Sequence, residues 1–154
     1  MPLVLVATDV DTGEAVVFRE GSVRDAVRAS CSFPGFFPPF AHGGRRLVDG
    51  SVSEVVPVRR ARDLAGDQGV VVAVDCNAGG RWPAADSFVA IALRAGLTLL
   101  RGRTRAELAG ADLAISPPIG ESGWMRPQRI PWFANAGEQA VVEALPELRR
   151  LLQG

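Results

Sequence analysis

Apolar positions fall along this chain in two kinds of run. Leu3 to Ala7 and Val70 to Val74 are short and unbroken, the pattern of strands buried on both faces. Elsewhere apolar residues recur every three to four positions, the period of a helix with one covered face. The segment Asp11-Thr12-Gly13-Glu14 separates the first run from Ala15 to Phe18 and predicts a hairpin. Ser22-Val23-Arg24-Asp25 has the form of a capping box, with Asp in place of Glu or Gln. Val23, Ala26, Val27 and Ser30 then share a helical face, and Pro34 marks the stop. Arg45 to Val48 predicts a short strand broken by Asp49-Gly50. Val52 to Val56 reads as strand or loop up to Pro57, and Val58 to Leu64 as a short helix.

In the second half, Ser87 to Leu100 predicts a helix capped by Asp86 or Ser87, with Phe88, Ile91, Ala92 and Ala95 as its inner face. Arg103 to Ala109 predicts another short helix, and Asp112 to Ser116 a strand. Asn135 is placed as the cap of a last helix from about Gly137 to Leu152. Its expected inner face is Ala140, Val141, Ala144, Leu148 and Leu151, and Pro146 should kink or divide it. Strands alternating with helices predict an α/β fold, with a mostly parallel sheet flanked by helices. The whole chain, 1–154, reads as one unit, with a motif-bearing region over 1–76 and a helical tail region over 77–154.

One stretch fits neither period. Residues 33–40, Phe-Pro-Gly-Phe-Phe-Pro-Pro-Phe, carry three prolines that remove backbone donors, so they predict a loop. Four phenylalanines in a loop must be buried or meet an apolar ligand.

Composition narrows the chemistry. Seventeen basic and seventeen acidic residues cancel, which gives no electrostatic reason to expect nucleic acid or an anionic membrane as the main partner. Every basic residue is arginine, so any lysine mechanism is excluded. Cys31 and Cys76 are far apart in sequence and are expected to be buried apolar side chains in a reducing cytoplasm, not a disulfide. No apolar stretch is long enough to span a bilayer. Asp9, Asp11, Asp75 and Asn77 could suggest a hard-metal cluster, but carboxylates in turns bond backbone donors. No metal and no cofactor are expected.

The strongest candidate for chemistry is Arg46-Leu47-Val48-Asp49-Gly50. The carboxylate follows an apolar strand, where α/β proteins present functional groups. Gly50 would let the chain turn sharply beside it. On the local pattern alone, Asp49-Gly50 reads as an ordinary turn.

The surrounding motifs resolve that ambiguity through a resemblance. Ala7-Thr8-Asp9 with Thr12-Gly13, Ala26-Val27-Arg28-Ala29-Ser30, Phe33-Pro34-Gly35-Phe36-Phe37-Pro38-Pro39 and Leu47-Val48-Asp49-Gly50 occur in this order. Together they resemble the second half of the bacterial patatin-like phospholipases. That family hydrolyses lipid acyl esters with a Ser-Asp dyad. The resemblance implies that Asp49 is the dyad's proton acceptor and that Gly50, Ser51 and Ser30 support it. Ser51 departs from the family's small Gly or Ala. It also implies a three-layer fold of which the nucleophile-elbow portion is absent, because these 154 residues hold no G-x-S-x-G. The near miss, Gly120-Glu121-Ser122-Gly123-Trp124, has its second glycine one place early. His42-Gly43-Gly44 reads as a turn, although a triad of His42 with Asp49 is possible in principle.

Three functional expectations follow. The chain is the C-terminal part of a cytoplasmic or peripherally membrane-associated lipid acyl hydrolase, inactive alone, whose partner is a separately encoded N-terminal half or a second copy. Alternatively it is a non-catalytic remnant that binds acyl chains or a protein through the Phe33 to Phe40 loop and the Trp124 to Trp132 segment. The third expectation is a complete enzyme with an unrecognised nucleophile, Ser122 or Ser51.

Overall fold

Two sheets organise the described residues, and of these only the smaller is parallel. The computed structural model describes residues 2–77, 86–119 and 127–153. Its elements are β1 (Leu5–Asp9), β2 (Ala15–Phe18), α1 (Val23–Ser30), β3 (Phe40–His42), β4 (Arg45–Asp49), a 3-10 turn (Gly50–Val52), α2 (Val58–Ala65), β5 (Val72–Val74), α3 (Phe88–Leu108), β6 (Leu113–Ile115), a second 3-10 turn (Pro127–Arg129) and α4 (Ile130–Gln153). The main sheet has the order β2-β1-β4-β3, and every pairing in it is antiparallel. A separate pair, β5-β6, is parallel.

The expected mostly parallel sheet is therefore corrected. The unbroken apolar run at β1 reports burial on both faces, and an interior strand has that whatever the direction of its neighbours. β1 lies between β2 and β4, with α1 packed against both β1 and β4. The hairpin forms as its sequence dictates: the Asp9 amide bonds Glu14 O, and Gly13 takes φ +75°. Ser22 Oγ accepts the Asp25 amide and starts α1, which ends at Ser30, before Pro34.

Among the described residues the buried apolar side chains are mostly Ala and Val, and two clusters of three organise them. Ala7, Ala29 and Leu47 form the first, under Val16, Phe18 and Phe40. Val58, Val71 and Ala73 form the second, where α2 and the end of α3 meet β5. An Arg62–Asp112 clamp ties the second together. Asp112 Oδ2 accepts the Val71 amide and an Arg62 N–H, each at 2.7 Å, and both bonds hold that carboxyl below its ordinary value.

Several helical expectations change. Residues 88–108 form one helix, not two, because Gly102 is accommodated inside it. Ser87 is its cap, accepting the Ala90 amide at 3.2 Å. α4 starts at Ile130, so Asn135 lies within it, and Pro146 does not divide it. Ala136 and Ala140 are its buried positions, while Val141 is exposed. The expected inner face of α3 is an outer one: Phe88 is 85 % exposed and Ile91 56 %. In β5 only Ala73 is buried, and Val72 and Val74 face outward.

Candidate functional site

β4 ends at Asp49, and the chain turns there because three separate groups require it. The Asp49 side chain accepts the Ser51 amide at 2.8 Å, closing a local turn and capping the 3-10 segment. Gly50 packs against β1 so closely that a Cβ would stand 2.2 Å from the Val6 carbonyl oxygen. No other residue type fits that approach. The Asp49 amide donates to Ser32 O at 3.0 Å, which draws the end of α1 to the corner.

A buried hydroxyl pair locks the backbone beneath. Thr8 is fully buried, with Oγ1 3.0 Å from Asp49 O and 2.8 Å from Ser53 Oγ. The Ser53 amide donates back to Thr8 Oγ1 at 3.1 Å. The one Thr8 hydroxyl proton lies between Asp49 O and Ser53 Oγ, its lone pairs accept the Ser53 amide, and the Ser53 hydroxyl donates to Gly50 O at 3.3 Å. Thr8 and Ser53 are the positioning residues that motif reading missed. Thr8 was legible inside Ala-Thr-Asp, but nothing in the sequence pairs it with a serine 45 positions on.

The turn alone does not single out Asp49. Asp9 accepts the Asp11 amide at 3.0 Å and Asp75 the Asn77 amide at 2.8 Å, each in the same two-residue turn. Those two carboxylates are buried, at 5 % and 8 % exposure, whereas Asp49 is half-buried. Asp49 Oδ1 faces Ser51, and Oδ2 accepts no hydrogen bond among the described residues. The carboxylate thus has a fixed oxygen and one available to a proton donor.

Of the residues expected to support it, Gly50 and Ser51 adjoin Asp49. Ser30 ends α1, half-buried, but Ser32 supplies the contact, through its carbonyl, while its own hydroxyl donates to Arg28 O at 2.8 Å. Ser51 Oγ is buried without a hydrogen-bond partner among the described residues. An orphaned hydroxyl costs stability, so Ser51→Ala should leave the melting temperature unchanged or raise the stability by about 1 kcal/mol. A clear loss of stability in thermal unfolding would mean that the hydroxyl has a partner after all.

The other candidates separate from this corner. His42 pairs with Arg45 at the opposite end of β4, about 13 Å from Asp49 along an extended strand, so the two form no triad. It stacks with Phe40 and meets Phe18 edge-on instead. Cys31 and Cys76 are exposed, a correction to their expected burial. The Cys31 thiol is raised from its ordinary value by partial burial and then by the Asp49 charge, which disfavours a thiolate. Asp11 pairs with Arg46. Among the described residues no three His, Cys, Asp or Glu side chains could hold a metal. Ser122 and Trp124 lie outside the described residues.

Two apolar features border the corner. The loop after α1 half-buries Phe33 and Phe40 and exposes Phe36 and Phe37. A groove of about 450 Å³ runs between Phe33 and Pro34 on one side and Ala92, Gly96 and Leu99 of α3 on the other, with Val52 beside it. α3 is tied to the corner's exit: Glu107 accepts the Val56 amide at 2.7 Å, and Arg103 donates to Val52 O at 3.3 Å.

Residues 4–62, which hold the whole corner, match the family model of the patatin-like phospholipases. Over 151 residues, 96 % of this chain, the sequence is 34 % identical to an uncharacterized NTE family protein of Mycobacterium tuberculosis, and equally to one of Mycobacterium bovis. A second uncharacterized NTE family protein of M. tuberculosis is 33 % identical over 87 residues. The chain spans about a quarter of the length of these relatives, 23 % and 24 %.

Proposed function

We propose, from the premise that this is a patatin-like chain, matched to the phospholipase family over residues 4–62, that it supplies the aspartate half of a lipid acyl ester hydrolase site. The observation that carries the reading is the Asp49 corner. A carboxylate at a strand end has one oxygen bonded to the Ser51 amide and its backbone held on both sides, by Thr8 and Ser32. In this reading a serine hydroxyl meets Asp49 Oδ2. The carboxylate takes its proton as the oxygen attacks the ester carbonyl, and the alcohol leaves with that proton. Asp49 then takes a proton from the water that attacks the acyl-serine and passes it to the serine oxygen as the fatty acid is released. Lipid or acyl ester is the substrate class, and no cofactor takes part.

The serine comes from outside these 154 residues, which contain no G-x-S-x-G. A separately encoded N-terminal half or further chain such as the relatives possess would bring it. A cytoplasmic location belongs to the reading, supported by two free, exposed cysteines, and no described helix is long and apolar enough to cross a membrane. The purified chain should therefore hydrolyse p-nitrophenyl acyl esters no faster than buffer and take no label from a fluorophosphonate. Activity should appear when it is joined to the polypeptide encoded immediately upstream. Serine labelling of the folded chain by itself would overturn the assignment of the nucleophile, and would point to Ser51 or Ser122.

A non-catalytic acyl-chain binder is the second reading. The groove between the Phe33 loop and α3 favours it, being largely apolar and lined in part by Val52 at the corner's exit.

A further inference from the structure

We infer that the outward face of α3, with the phenylalanine loop beside it, is a docking surface for an anionic lipid bilayer, on which the helix lies without crossing. The observation is an inverted amphipathicity. At 3.6 residues per turn, Phe88, Ile91, Ala92, Ala95 and Leu99 form one stripe. An apolar stripe ordinarily turns to the core. Here it turns away, with Phe88 85 % and Leu99 76 % exposed, and the only buried residue of the helix is Thr104, on the opposite side.

Charge names the occupant. α3 carries four arginines and one glutamate in a chain whose net charge is zero. Arg94 and Arg105 fall along one flank of the stripe, while Arg103, at its other edge, is paired with Glu107. An apolar stripe flanked by guanidinium groups matches acyl chains below a layer of anionic head groups, and a polypeptide partner would have to supply acidic residues along the same flank. Long arginine stems lie over apolar surface while their heads reach outward. The helix is not apolar enough to span a bilayer, so it lies on one.

The loop continues the surface. Phe33 and Pro34 face Ala92 and Leu99 across the groove, the Phe36 ring is 5.8 Å from Phe33, and Phe37 beyond it is 58 % exposed. Exposed aromatic side chains favour the interface between head groups and acyl chains. The groove between α3 and the loop reaches Val52, just after the Asp49 corner. This inference does not depend on ester hydrolysis.

Co-sedimentation of the purified 154-residue chain with vesicles tests it, in the absence of any ester substrate. The chain should pellet with phosphatidylglycerol vesicles at low salt, less with phosphatidylcholine, and less with phosphatidylglycerol as salt rises. Phe88→Glu with Leu99→Glu should lower the partition coefficient at least about tenfold. Because both side chains are exposed, their circular dichroism should match that of the parent. Arg94→Glu with Arg105→Glu should abolish the preference for phosphatidylglycerol. Asp49→Asn should bind as the parent does, which separates this surface from the hydrolase reading. Failure to pellet with phosphatidylglycerol at low salt, or equal binding by the Phe88/Leu99 variant, would overturn the inference. So would a chain dimer that dissociates in that variant while vesicles bind nothing, since a second copy would then cover the stripe.

Discussion

Asp49→Asn, made in a protein that also carries the serine, is expected to lower ester hydrolysis by ~10³-fold or more. Asparagine is nearly the same shape and keeps an oxygen to accept the Ser51 amide, so the turn and the 3-10 segment after it should survive. What it loses is the capacity to take a proton from a serine or a water. The expected signature is a collapse of kcat with unfolding stability changed by no more than about 1 kcal/mol. Asp49→Ala would confound the two, because it also removes the cap. Retention of most of the activity by the asparagine variant would remove Asp49 from the chemistry and leave it a turn residue, like Asp9 and Asp75.

Gly50→Ala should do the converse, destroying the fold before the chemistry is reached. Its Cβ would stand 2.2 Å from Val6 O and 2.9 Å from Val6 C. Both are backbone atoms of the central strand, so relief requires β1 and β4 to part. A cost of about 3 kcal/mol or more is expected, against a total stability on the order of 5–15 kcal/mol for a domain. Gly102→Ala is the control of opposite sign. It lies inside α3 with nothing within 4 Å of the added methyl, and should gain up to about 1 kcal/mol from helix propensity. Urea midpoints of the two variants, measured beside the parent, should fall on opposite sides of it. Equal midpoints would mean that the 2.2 Å approach relaxes at no cost.

Local structure was legible where the determinant is local. Gly13 makes the first hairpin, and Ser22 and Ser87 cap their helices, because each signal acts within three or four residues. Strand direction was not legible, because an apolar run such as Leu5 to Ala7 encodes burial and burial has no polarity along the chain. The division of α3 failed for a related reason: Gly102 reads as a break, yet an exposed glycine costs a long helix only about 1 kcal/mol. The stripe of α3 was found correctly as a stripe, and its facing was not, since periodicity gives a phase and says nothing of which side the core is on. At the site, Asp49 and Gly50 were legible as a motif. The hydroxyl of Thr8, the amide of Ser53 and the carbonyl of Ser32 were not, because each reaches the corner across the sheet or from the end of a helix.

Thr8 has a consequence for how the corner comes into being. Its bonds to Asp49 and Ser53 close loops of 41 and 45 positions, whereas the Asp49 turn itself spans two. Closure on that scale is an entropic barrier that short hairpins do not face, so the turn can flicker into place long before the carboxylate is aimed. Final placement then belongs to the same cooperative event that brings β1 onto β4. The amide protons of Asp49 and Ser53 should be among the slowest in the chain to exchange with deuterium, in step with those of the central strand.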